Sequence, residues 1–102
     1  MAEADEAVSQ AKGLIRAARF EEAVALLESW LEENPEGADG WAALGAAYFE
    51  SEDYEAAASA ARRAVDLQPE SARAWCNMAT VLRKCGELEE ARTCCERALD
   101  LS

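Results

Sequence analysis

A 34-residue interval organises this sequence. Trp41 is answered by Trp75, and Pro35 by Pro69, at that spacing. Phe20, Tyr54 and Leu88 form a triple, as do Ala23, Ala57 and Ala91. Trp30, Ala64 and Ala98 share another equivalent position, and Leu31, Val65 and Leu99 a fourth. Arg63 matches Arg97, and Asp66 matches Asp100. The register needs no gap across the 102 residues. A fixed period of this length marks a repeat architecture. A unit so short cannot bury its apolar face alone, so neighbouring units must stack.

Each unit reads as two helices. Trp41, Leu44, Gly45 and Tyr48 recur at i, i+3, i+4, i+7, which is one helical face, and Trp75, Met78, Ala79 and Leu82 repeat it. The short breaks that follow read "ESED" and "KCGE". Asp53 can cap the next helix there, and Gly86 can adopt the backbone of a tight turn. The stretch "YEAAASAARRAVDLQ" turns Tyr54, Ala57, Ala61, Ala64 and Val65 inward. It ends before Pro69, which disfavours helix in the preceding residue, and Ser71 supplies the next cap. Gly45, Ala57 and Ala64 are small enough for close helix approach, with Trp41 and Tyr48 filling space between neighbouring pairs. The spacing predicts helices at about 4–18, 20–34, 38–50, 53–67, 71–85 and 87–101.

Composition agrees with an all-α class. Apolar residues make up 51% of the chain, Gly and Pro number only 5 and 2, and alanine is abundant. The 21 Asp and Glu against 10 Lys and Arg leave a formal net charge of -11. That charge argues against sequence-independent nucleic-acid binding, which depends on neutralising phosphates, and against anionic membranes. No apolar run is long enough to span a bilayer. The start "MAEADEAVSQ" lacks the basic and apolar regions of a signal peptide, so a cytoplasmic location is expected. Cys76, Cys85, Cys94 and Cys95 form no CxxC, and the chain has no histidine. They read as reduced thiols acting as small hydrophobes, and no metal or cofactor is expected. There is also no Gly-rich phosphate loop and no nucleophile with an obvious base, so the reading is not an enzyme. Glu pairs such as Glu21–Glu22 and Glu89–Glu90 read as solvated helix faces.

The pattern "W..LG..Y" followed by "A...A..A....P" resembles the tetratricopeptide repeat, carried by Trp41, Leu44, Gly45, Tyr48, Ala57, Ala64 and Pro69. The third unit keeps Trp75, Ala91 and Ala98, with Met78, Ala79 and Leu82 as variants. The first unit keeps Phe20, Ala23 and Pro35 but has Ala7 and Gln10 where Trp and Leu are expected. The resemblance implies one domain over residues 1–102, an α-solenoid of three helix-turn-helix units at about 4–37, 38–71 and 72–102. Its six antiparallel helices would stack in a right-handed superhelix without a separate C-terminal capping helix. Trp30 stands where the motif prefers alanine, and it is expected to fill volume that Ala7 leaves empty. Cys94, Cys95 and Leu99 are expected to be exposed at the last face, a candidate self-association end through which the chain would form a homo-oligomer.

The resemblance further implies that the first helix of each pair lines a concave groove. The groove residues would be Lys12, Ile15 and Arg16, then Ala46 and Phe49, then Arg73, Asn77, Thr80, Arg83 and Lys84. Arg73, Asn77, Thr80 and Lys84 follow i, i+4, i+7, i+11 and so share one stripe. Within this face Glu50 is the only expected acid, so a basic groove in an acidic body is expected. It suits an extended or helical, partly acidic peptide with an apolar anchor, held by charge-assisted hydrogen bonds. The carboxylate-clamp subfamily is a poor match, because Val8, Lys12, Ala43, Arg73 and Asn77 stand at its positions and only Arg73 fits. The expected function is therefore a protein-interaction adaptor. The alternatives are a small secretion-type chaperone protecting an apolar client segment, or a self-associating structural module.

Overall fold

The computed structural model describes residues 2–102. Its six helices are α1 (Ala2–Arg16), α2 (Phe20–Glu33), α3 (Ala38–Glu50), α4 (Tyr54–Leu67), α5 (Ala72–Cys85) and α6 (Leu88–Leu101), with no strand among the described residues. The boundaries fall within two residues of those read from the periodicity. Helices pack as α1 with α2, α3 with α4 and α5 with α6, and the pairs join through α2–α3, α1–α3 and α4–α5. This is an α-solenoid of three helix-turn-helix units, as the repeat implied.

The turn inside each unit is the same device three times. Ala18, Glu52 and Gly86 sit at equivalent positions with φ of 62°, 68° and 84°. The next residue's N–H reaches back five residues, Arg19 to Leu14 O, Asp53 to Tyr48 O and Glu87 to Leu82 O, at 2.8, 2.8 and 2.9 Å. These bonds satisfy carbonyls that the helix end would otherwise leave open. Only Gly86 holds the left-handed conformation without a Cβ penalty. Glu52 is exposed, so Glu52→Gly is expected to stabilise the fold by about 1 kcal/mol, the steric penalty it removes. Chemical denaturation measures this, and a loss of stability would contradict it.

Caps form where the sequence placed them. Asp53 Oδ1 accepts from Ala56 N at 3.4 Å, and Ser71 Oγ accepts from Ala74 N at 3.1 Å. The repeated tryptophans are tied at both ends. Trp41 Nε1 donates to Pro35 O at 2.9 Å and Trp75 Nε1 to Pro69 O at 2.8 Å. Arg63 lies 5.1 Å from the Trp41 ring centre and Arg97 5.5 Å from that of Trp75, within reach of a cation–π attraction. The first unit has Ala7 and Ser29 at these two positions.

The core has two main clusters. One joins Val8, Ala11, Leu27, Leu31, Ala43, Leu44 and Ala60, the other Ala61, Val65, Met78, Ala79, Leu82, Ala91 and Cys94. One expectation needs correction. Cys94 is only 4% exposed and belongs to the second cluster, so it cannot serve an exposed end. Its position turns it toward Ala91 and Ala98, about 100° around α6 from Cys95. Burial raises the thiol pKa of Cys94, and also that of Cys85. Trp30 lies against the start of α3, where a Cβ on Gly37 or Gly40 would overlap its ring. Trp30 thus meets α3, a neighbour that its place in the repeat did not name. Gly45 is less constrained than its sequence role implied. A Cβ there would meet Ala57 O at 3.5 Å, an ordinary contact, and Ala79 fills the equivalent position in the third unit.

Side-chain ties between helices are few among the described residues, and apart from the partly buried Cys85 Sγ, which donates to Tyr54 O at 3.4 Å, they are exposed. Tyr48 donates to Glu28 at 3.0 Å, joining α3 to α2. Burial is the first cause of its raised pKa. Arg62 meets Glu90 at 2.7 Å, joining α4 to α6. Both partners are about half exposed, so the pair contributes under about 1 kcal/mol.

Candidate functional site

The first helices of the three units, α1, α3 and α5, border one cleft of about 570 Å³. The small residues Ala61 and Ala64 of α4, with Gln68 just beyond it, contribute to its lining between α3 and α5. The cleft crosses the helices obliquely. It takes Lys12, Ile15 and Arg16 from the C-terminal half of α1, and residues from Ala38 to Glu50 along α3. From α5 it takes Arg73, Asn77, Thr80 and Val81.

Eight of the ten expected groove residues line it together: Lys12, Ile15, Arg16, Ala46, Phe49, Arg73, Asn77 and Thr80. Arg83 and Lys84 do not. Lys84 shares the stripe of Arg73 and Asn77 but stands one turn past Thr80, beyond the oblique cleft. Arg83 is turned about 80° away from Arg73 around the helix.

The lining is also less basic than expected. Asp39 joins Glu50, so three cations face two acids. The pattern follows the repeat. Asp39 is the equivalent of Arg73, and Glu50 of Arg16, so the acids belong to α3 and the cations to α1 and α5. Aligning charge by repeat position would have found Asp39. Ser71 and Gln68 were also missed, because they lie in the connection between units rather than on a helix face.

The lining charges form no ion pair among the described residues. The ion pairs among the described residues are Arg19–Glu22, Arg62–Glu90 and Arg92–Glu96, none of them in the cleft. Lys12, Arg16, Arg73, Asp39 and Glu50 are all exposed. Apolar contact comes from Ile15, Ala42, Ala46 and Phe49. Phe49 is fixed edge-on against Tyr54, ring centres 5.4 Å apart. Thr80 Oγ1 already donates to Cys76 O at 3.0 Å. Among the described residues, no group of three or more His, Cys, Asp or Glu side chains is placed to hold a metal ion. Among the described residues, no helix is long and apolar enough to cross a membrane. The arrangement is suited to holding a polar, elongated ligand across three units.

Two models of the tetratricopeptide repeat match this chain, one over residues 8–71 and the other over residues 72–102. The chain belongs to the tetratricopeptide repeat family. No curated protein sequence matches it. Solved structures with the same fold include the Sgt2 TPR domain from Aspergillus fumigatus. That match has a TM-score of 0.92 and 21% identity, covering 99% of this chain and 67% of that one. The second TPR of Spaghetti (RPAP3), bound to the HSP90 peptide SRMEEVD, has a TM-score of 0.89 and 22% identity, covering 97% and 92%. MamA from Desulfovibrio magneticus gives a TM-score of 0.87 and 22% identity, covering 93% of this chain. The chain spans 54% of that MamA structure, about half its length. At these identities the likeness establishes the tetratricopeptide repeat fold. Members of the family act as scaffolds for protein–protein interaction.

Proposed function

We propose that this chain is an adaptor whose cleft between α1, α3 and α5 holds an extended or helical peptide carrying acidic groups and an apolar anchor. The observation that carries this reading is the lining itself. Lys12, Arg16 and Arg73 are exposed, with no ion pair among the described residues, around an apolar floor of Ile15, Ala46 and Phe49. Exposed Arg and Lys recognise carboxylates through charge-assisted hydrogen bonds, and the apolar floor supplies contact area. The bound peptide of the RPAP3 structure supports the reading by analogy, since SRMEEVD combines acidic residues with a methionine. Asp39 and Glu50 restrict the ligand. They disfavour acidic groups beneath α3 and direct them toward the α1 and α5 edges.

A peptide array probed with the wild-type chain and with the double variant K12E/R73E tests this. Acidic peptides captured by the wild type should bind the variant about tenfold or more weakly, because bonds to charged groups are lost. K84E, outside the lining, should change binding by less than about twofold, as expected for an exposed charge. Binding should also weaken as salt is raised. Capture of the same peptides by K12E/R73E would dispose of the reading. Salt-insensitive capture of apolar segments would favour a chaperone that shields a client.

A further inference from the structure

The large exposed hydrophobic side chains of the described residues, Leu88, Leu99 and Leu101, all lie on α6, with Leu88 65% and Leu99 74% exposed. The repeat gives this face a history inside the molecule. On α2 the equivalent stripe is Phe20, Val24, Leu27 and Leu31. Leu27 and Leu31 are buried in a cluster with Ala43 and Leu44 of α3. On α4 it is Tyr54, Ala58, Ala61 and Val65. Ala61 and Val65 are buried with Met78 and Ala79 of α5. On α6 the stripe is Leu88, Arg92, Cys95 and Leu99, and all four side chains are exposed.

Arg92 separates this face from its two predecessors. Val24 and Ala58 hold the same position beneath a following helix, whereas Arg92 is charged. A further unit stacked as α3 stacks on α2 would bury the guanidinium, which is costly unless an acid meets it. The opposite end of the molecule offers no match either. Glu6, Ser9 and Gly13 of α1 occupy the positions by which α3 packs on α2, and all three are exposed. Head-to-tail stacking of copies would therefore set Glu6 and Ser9 on a leucine face.

The face is complementary to itself. Arg92 Nε lies 3.7 Å from Glu96 within one helix, and both side chains are largely exposed. Consider two copies of α6 crossing antiparallel about a two-fold axis midway between those residues. Each Arg92 then lies beside the Glu96 of the other copy. Leu88 and Leu99 flank the charges on both sides, and Cys95 lies near the axis. A surface that matches itself under a two-fold rotation is what a closed dimer requires.

We propose that α6 is a homodimer interface, closed by Leu88 and Leu99 and kept in register by reciprocal Arg92–Glu96 pairs. This does not depend on the groove, which lies on the first helices and stays open in such a dimer. Sedimentation equilibrium over a wide concentration range tests it. The wild-type chain should show a monomer–dimer equilibrium. L99E should weaken association about tenfold or more, since it sets a charge against Leu88 of the other copy in an apolar contact. R92E alone and E96R alone should each be monomeric, and mixing the two should restore dimers. All three substitutions are at exposed positions, and circular dichroism checks that helix content is kept. A chain that stays monomeric at every concentration overturns the proposal. So do dimers that ignore L99E, and so does failure of the two charge variants to associate on mixing.

Discussion

Leu82→Ala is expected to destabilise the fold by about 3–4 kcal/mol, within the range of buried leucine truncations. Leu82 is 1% exposed, among the largest fully buried side chains of the described residues. It packs in the cluster that joins the second unit to the third through Ala61, Val65, Met78, Ala79, Ala91 and Cys94. Many of its neighbours are alanines, with no side-chain reach to close the cavity left behind. A small domain has only about 5–15 kcal/mol of stability in total, so a large share would go. The loss should fall on the third unit first, because units in a solenoid contact only their neighbours. Urea denaturation followed by circular dichroism measures it. A change below about 1.5 kcal/mol would mean that the site collapses around the smaller side chain.

The second large effect concerns Trp30 and Gly40. Gly40→Ala should cost about 1–3 kcal/mol, as overpacking does, because the added methyl overlaps the indole ring. Trp30→Ala should cost about 2–3 kcal/mol, less than a fully buried aromatic, since the ring is only partly buried. The double variant should cost less than the sum by about 1 kcal/mol or more, the mark of residues in direct contact. Additivity within about 0.5 kcal/mol would show that the two do not share the site. Gly45 makes the contrast on the same helix. It has room for a methyl, so its conservative replacement should not follow the behaviour of Gly40.

The fold was legible because the interval of 34 residues repeats types as well as polarity. A Trp in the first helix, alanines at close contacts and Pro before the next unit each have one place in a stacked helix pair. Helix ends were legible from Asp53, Ser71 and Gly86 for the same local reason. Trp30 was not, because its partner is the glycine pair across a junction between units. Nothing within its own helix reveals that pair. Cys94 was misjudged because adjacent residues on a helix face different ways, and only packing decides which of two cysteines enters the core. In the site, each helix face was legible but the turns that meet were not. Units rotate relative to one another, so the cleft runs obliquely and takes Lys12 and Arg16 late in α1 but Arg73 early in α5. Lys84 falls outside for that reason.

The way α1 and α5 are held gives the cleft a mechanical character. The first helix packs on α2 and α3, and the fifth on α4 and α6, so force passes between the outer units by way of the middle one. Such a stack behaves as a short spring, its curvature set by two junctions in series. A ligand gripping Lys12 at one edge and Arg73 at the other would add a parallel strut. It would fix the curvature, suppress fraying of the outer units and make a loosely coupled array unfold as one body.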